Sequence, residues 1–97
     1  MTRRPSIDEI LRAVCLHTGV HVAQMTSESR SAANCAARMI AAYALRQLRG
    51  MSFPEVAQAL GYKTHSSVVH LVKEQARREV IAQTSNRIYE LVIAARK

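Results

Sequence analysis

Five consecutive polar residues in the second half of the sequence carry side chains suited to binding a polar ligand. They follow Gly61 closely, with no apolar residue among them: Lys63, Thr64, His65, Ser66 and Ser67. Ammonium, imidazole and hydroxyl groups match the hydrogen-bonding groups of base edges and phosphates in DNA. A helix start that served only for packing would rarely hold five such residues in a row. We therefore predict that residues 63–67, called the polar run below, form a DNA-reading surface.

Covalent catalysis has little support in the same residues. His65 stands next to two serines, but no acidic residue lies nearby in the sequence to orient its imidazole as a base. No GxxxxGK[ST] phosphate-binding loop occurs, and the three glycines are isolated from one another. We expect a protein that is not an enzyme and that binds no nucleotide or other cofactor.

The two cysteines are predicted to be structural. Cys15 and Cys35 show no CxxC spacing, and both fall on apolar sides of predicted helices. The alternative is a zinc site built from Cys15, His17 and His21. That spacing matches no zinc-finger pattern, so we expect no metal.

The segments on either side of the polar run predict two helices. Residues 52–60, SFPEVAQAL, form a short amphipathic stretch with a capping box and Pro54 in its first turn. Residues 68–80, VVHLVKEQARREV, form a basic amphipathic stretch. The helix that contains this stretch is predicted to begin near His65 and to be capped by Thr64. Two helices joined by a four-residue turn at Gly61 make a helix-turn-helix. In that motif the first turn of the second helix faces the major groove.

Capping signals and apolar periodicity predict the remaining elements of an all-α fold with five or six helices in a single domain, 1–97. The apolar fraction is 48%, with one Phe and no Trp, which suits closely packed helices. The segment SIDEIL near the start and the intact last helix favour a complete protein, although an excised domain would look similar. The elements are a helix from Ser6 to Gly19, one turn within 20–25, a loop over 26–34, a helix over 33–48 and a last helix over 86–96, capped by Asn86.

The charge is strongly positive. Fourteen Lys and Arg face seven Asp and Glu, which gives +7 and a pI of about 10.3. A basic balance of this size is typical of domains that bind a polyanion. Arg38, Arg46 and Arg49 are predicted to share an outward stripe of the long helix that follows a phosphate backbone. The alternative interpretation is an ordinary solvated face.

Residues 61–70, GYKTHSSVVH, resemble the signature of the C-terminal DNA-binding domain (domain IV) of the bacterial replication initiator DnaA. The similarity extends over roughly residues 6–78, through SFPEVAQALG and back to SIDEIL. It implies a fold like that domain, with double-stranded DNA as the partner. The matching positions are Gly61, Lys63, His65, Ser66, Ser67, Val68, Val69 and His70.

The resemblance also implies roles for residues outside the polar run. Arg30 matches an arginine that enters the minor groove, and Arg46 matches a basic phosphate contact. Pro54 falls where the family's first helix touches the DNA edge, and Lys73 matches a position that reaches the backbone. Thr64 departs from the family, which usually has Asp there, so the base preference is expected to differ.

Two classes of function follow from these patterns. The first is sequence-preferring binding of double-stranded DNA at DnaA-box-like sites, as an accessory factor, competitor or regulator of replication initiation or transcription. The second is a protein-interaction module that binds the replication initiator or another regulator, with weak or no specific DNA binding. The sequence holds no apolar run long enough for a membrane span and no secretory signal. We expect a cytoplasmic, nucleoid-associated protein.

Overall fold

The computed structural model describes residues 3–27 and 31–96. These ranges contain helices and no strands, so the predicted all-α class is confirmed. No helix within them is long and apolar enough to cross a membrane. The helices are α1 (Ile7–Thr18), α2 (Val22–Met25), α3 (Ala32–Arg49), α4 (Phe53–Leu60), α5 (Ser66–Ala82) and α6 (Thr84–Ala95).

Two helices begin at the predicted capping boxes. The Ser6 hydroxyl accepts from the Glu9 N–H at 3.1 Å, and the Glu9 carboxylate accepts from the Ser6 N–H at 3.0 Å. Ser52 and Glu55 repeat the arrangement at the start of α4. Each box satisfies two backbone N–H groups that have no partner within the helix. The starts of α1 and α4 are therefore encoded locally.

The long helix α3 lies at the centre of the fold and packs against every other helix. Its buried side is rich in alanine, which lets neighbouring helices approach closely. The helix begins one residue earlier than predicted, because Ser31 caps it by accepting from the Asn34 N–H, and it ends one residue later, directly before Gly50. Fully buried core side chains come from α1 (Ile10, Val14), α3 (Ala37, Ala41, Ala44, Leu45), α4 (Val56), α5 (Val68) and α6 (Ile88).

The junction between α5 and α6 differs from the prediction. Asn86 does not cap α6, which begins two residues earlier, at Thr84. The chain turns instead at Gln83, whose φ of 49° places a non-glycine residue in the left-handed region. The carboxylate of Glu79 on α5 accepts from the Ser85 N–H at 3.1 Å, while its other oxygen accepts from the Gln75 side chain. The cap of α6 therefore comes from the preceding helix.

The buried face of α5 also differs from the prediction in its last turn. Val68 is fully buried and Gln75 is 3% exposed, which sets a helical face that continues to the half-buried Glu79. Val80, the last apolar residue of the predicted amphipathic stretch, is 81% exposed rather than buried, because one further residue turns the helix by about 100°. Its neighbour Ile81 is 91% exposed. Two large apolar side chains therefore face outward at the end of α5.

Candidate nucleic-acid interface

Helices α4 and α5 and the turn between them form the predicted helix-turn-helix. The Tyr62 N–H donates to the carbonyl of Ala57 at 2.8 Å, and the Gly61 N–H donates to the carbonyl of Gln58 at 3.3 Å. These two bonds form a Schellman motif, which needs a residue with positive φ at its C′ position. Gly61 supplies it, with φ of 81°. The turn that carries the polar run therefore starts from a rigid helix end.

All five side chains of the polar run are exposed. The next residue, Val68, is fully buried, so the first turn of α5 is anchored in the core while its polar side chains project outward. The prediction that Thr64 caps α5 is wrong. The helix begins at Ser66, with His65 in the N-cap position in an αR conformation, and no side chain caps it. The first N–H groups of α5 thus keep the partial positive charge that attracts anions at a helix start.

Two other predicted contact residues lie exposed on the same two helices. Pro54 is in the first turn of α4, next to the half-buried Phe53. Lys73 is on α5, where the spacing of seven from Ser66 places it on the same face. His70 lies between Ser66 and Lys73 on that face of α5 and is also exposed. Together with Ser66 and Ser67 it lines a depression beside the turn, so it is a candidate that the predicted set omitted.

Arg46 has contacts within the fold that the sequence did not predict. Its guanidinium carbon lies 3.9 Å from the centroid of the Phe53 ring, and one of its nitrogens donates to the carbonyl of Met51 at 3.0 Å. A cation above an aromatic face is attracted by the negative charge of the ring face. The side chain is half-buried and therefore still reaches solvent. Its ring partner Phe53 directly precedes Pro54 in α4, so Arg46 packs beside the residue before another predicted contact.

The predicted stripe of three arginines is wrong for Arg38. Eight residues turn an α-helix by about 80°, so Arg38 and Arg46 do not share a face. Arg38 is 4% exposed, and its guanidinium donates to three backbone carbonyls, those of Gln24, Met25 and Ser27. Arg49 donates to the carbonyl of Pro5 at 3.0 Å and thereby holds Pro5 against α3. These two arginines have structural partners rather than a free outward face.

Carboxylates are few around the polar run. Glu55 is used in the capping box of α4, and the Ser52 backbone N–H, with the Ser52 hydroxyl, holds the pKa of Glu55 below its ordinary value. Glu74 on α5 pairs with Arg77 at 3.3 Å.

Arg30 lies outside the described residues, so its predicted role stays a prediction. Within residues 3–27 and 31–96, no three His, Cys, Asp or Glu side chains are grouped in a way that could hold a metal ion.

Comparison with known proteins assigns the family. The family model described as "Bacterial dnaA protein helix-turn-helix" matches residues 7–74. The chain belongs to this family. It is 39% identical to the chromosomal replication initiator protein DnaA of Sphingopyxis alaskensis over 70 residues, which are 72% of this chain and 16% of that protein. It is 36% identical to the initiator of Thermomicrobium roseum over 90 residues, 84% of this chain and 19% of that protein.

The DnaA helix-turn-helix match contains the whole candidate interface. It runs from the first residue of α1 to Glu74 on α5, and so includes the polar run, Pro54, His70 and Lys73. The end of α5, with Val80 and Ile81, lies beyond it. The chain spans roughly one sixth of the length of these curated relatives. The similarity therefore identifies one module of the DnaA protein and extends to no other part of it.

Proposed function

We propose that this chain binds double-stranded DNA at DnaA-box-like sites, with the polar run in the major groove. The observation that carries the proposal is the contrast at the start of α5, where the five exposed residues of the polar run directly precede the fully buried Val68. Such a turn presents hydrogen-bonding groups at a fixed distance from the core. The family match and the charge of +7 support the same interpretation.

Each predicted residue receives a role in this proposal. Lys63, Thr64, His65, Ser66 and Ser67 contact base edges or the phosphates beside them. Arg46 and Lys73 contact the phosphate backbone, Pro54 touches the edge of the DNA, and Arg30 enters the minor groove. The first N–H groups of α5 attract a phosphate because no side chain caps them. No step requires a cofactor, metal or nucleotide, and we propose a binding module without catalytic activity.

A binding assay tests the proposal directly. Fluorescence anisotropy should be measured with a labelled duplex that carries a DnaA box and with a scrambled duplex of equal length and composition. We expect tighter binding to the box at every salt concentration, and a linear fall of log affinity with log salt for both duplexes. Equal affinity for the two duplexes would rule out sequence preference, and no binding to either would rule out the DNA-binding function.

In the cell, such binding would make the chain an accessory factor, a competitor at DnaA boxes or a regulator of replication initiation or transcription. We place it in the cytoplasm with the nucleoid. Occupancy of the same boxes as the initiator would produce competition by mass action. Footprinting of an origin fragment with the initiator and increasing amounts of this chain would show the competition as lost initiator protection.

A second candidate function is binding to the replication initiator or to another regulator protein. One observation favours it: Val80 and Ile81 are adjacent, exposed and apolar at the end of α5. Contiguous exposed apolar side chains often mark protein contacts. Co-sedimentation of this chain with the purified initiator, in the absence of DNA, tests this candidate. An interaction that Ile81→Ser abolishes while box binding is unchanged would assign the two functions to opposite ends of α5.

A further inference from the structure

Arg38 is a buried cation with an unusual set of acceptors. Its Nε donates to the Met25 carbonyl at 2.8 Å, and one terminal nitrogen donates to the carbonyls of Gln24 and Ser27. A guanidinium presents five N–H donors in a fixed plane, so one side chain can hold several carbonyls at once. Arg38 thus fixes the backbone of residues 24–27 against the central helix α3.

The segment held by Arg38 touches the helix-turn-helix. Thr26 lies between the acceptor residues Met25 and Ser27, and its carbonyl oxygen faces Gly61. A Cβ atom added at residue 61 would stand only 3.0 Å from that oxygen, which is closer than side-chain carbons normally come. Gly61 therefore allows a close backbone approach between residues 24–27 and the turn. Arg38 therefore holds the segment that contains Thr26, and Thr26 in turn lies against Gly61, two residues before the polar run.

We propose that Arg38 is a positioning residue for DNA reading. It touches no DNA itself and acts by fixing residues 24–27, which in turn set the position of the turn at Gly61. The inference rests on the proposed function, since it concerns the same interface. It identifies a cation that affects specificity from inside the fold, whereas a basic residue in a DNA-binding family is ordinarily taken to contact phosphate.

Two substitutions distinguish positioning from direct phosphate contact. Arg38→Lys keeps the positive charge but replaces the planar fork by one ammonium group, and Arg38→Met removes the charge. If Arg38 is a positioning residue, neither lysine nor methionine should restore its function.

We expect both variants to lose about tenfold in affinity for a DnaA-box duplex, the loss typical of one mismatched base pair. Affinity for a scrambled duplex and the salt slope should stay unchanged. Arg12→Lys, at an exposed position of α1, is the matched control and should change neither affinity.

The opposite result would overturn the proposal. If Arg38→Lys binds the box as tightly as the unchanged protein, the charge alone matters. If Arg38→Met weakens binding equally on both duplexes and lowers the salt slope by about one unit, Arg38 contacts a phosphate. Thermal unfolding of each variant, monitored by circular dichroism, shows that the compared proteins are folded.

A measurement without DNA separates this proposal from the proposed function. In the free protein, Arg38→Lys should shift the amide resonances of residues 61–67 in an NMR spectrum, while Arg12→Lys should not. If these resonances stay in place, Arg38 does not position the turn, whether or not the chain binds DNA. If neither Arg38 variant folds, the proposal is tested by hydrogen exchange in the unchanged protein. Its Arg38 Nε–H should resist solvent exchange without DNA, and protection that arises only on adding the box duplex would contradict the proposal.

Discussion

The guanidinium of Arg96 donates two hydrogen bonds to the carboxylate of Glu9, at 2.6 and 3.0 Å. The two side chains are each 21% exposed and join the end of α6 to the first turn of α1. Glu9 also accepts the Ser6 N–H in the capping box. One carboxylate therefore caps the start of α1 and joins α1 to the end of α6.

This pairing predicts how stability depends on pH. The hydrogen bond from Arg96, and then that from the Ser6 N–H, lower the pKa of Glu9 from 4.5 to about 2. A lowered pKa in the folded state stabilises the fold fully above pH 4.5, and this contribution is lost as the pH falls towards 2. Glu9→Gln keeps the capping acceptor and removes the charge.

The measurement is the thermal midpoint between pH 7 and pH 2 by circular dichroism. Glu9→Gln should have a lower midpoint at neutral pH and a flatter decline below pH 4.5 than the unchanged protein. Glu90→Gln, which removes the partner of the exposed Arg87, is the matched control and should leave the acid decline as it is. Equal declines for all three proteins would mean that the Glu9–Arg96 pair contributes nothing.

Alanine substitutions in the polar run should affect specific binding most. We expect Lys63→Ala to weaken binding by about 1–3 kcal/mol if the ammonium reaches a guanine. His65→Ala and Ser67→Ala should each lower affinity for a DnaA box more than for scrambled DNA. The exposed His17 on α1 gives the control His17→Ala, with no change on either duplex. Equal losses on both duplexes would show that the run reads no sequence.

Arg46→Ala should change both stability and binding. Loss of the Phe53 contact and of the hydrogen bond to Met51 should lower the free energy of unfolding by about 1–2 kcal/mol. If Arg46 also contacts a phosphate, affinity should fall equally on all sequences and the salt slope should decrease by about one unit. Phe53→Leu removes the ring and keeps the charge, so it should lower stability without changing the slope. An unchanged slope in Arg46→Ala would leave Arg46 with a structural role alone.

Thr64→Asp should change base preference without harming the fold. No side chain caps α5, so a carboxylate next to its start should be stabilising by about 0.3–1 kcal/mol. Aspartate accepts from the amino group of cytosine, so preference at one position should move towards a C·G pair by about 1–3 kcal/mol. Selection from random duplexes measures the site of each protein. Identical selected sites would mean that residue 64 does not face a base.

Gln83→Gly should stabilise the protein. Gln83 has a φ of 49°, a conformation that is unfavourable for residues with a Cβ and open to glycine. We expect the free energy of unfolding to rise by about 0.5–1 kcal/mol in urea titrations. Gln47→Gly, at an exposed position inside α3, should have the opposite sign and cost about 1 kcal/mol. A loss of stability in both would show that the side chain of Gln83 matters more than its backbone.

Local signals predicted the starts of α1 and α4 because each depends on residues only three apart. Ser6 with Glu9, and Ser52 with Glu55, form the same bonds wherever the rest of the chain lies. The exposed polar run was predictable for a similar reason, since burying five adjacent polar side chains without hydrogen-bond partners would be costly. These features need no knowledge of the tertiary fold.

Features that depend on distant partners were not predictable. The sequence gives no sign that Arg38 would find three carbonyls at the end of α2, because that requires α2 and α3 to pack together. Asn86 was the better capping residue by type, yet Glu79 on the preceding helix caps α6. Thr64 failed as a cap for another reason. The backbone at His65 is already αR, so the threonine lies one residue too early.

The buried Val68 bears on how the chain meets its ligand. A flexible loop must lose conformational freedom on binding, and that loss subtracts from the affinity its contacts could provide. Here the backbone of the polar run is held in place, because Val68, which follows it, is fixed among the core side chains when the protein folds. Association then has only the exposed side chains left to order. Substituting Val68 by alanine should therefore lower the affinity for DNA, although the side chain of Val68 is fully buried.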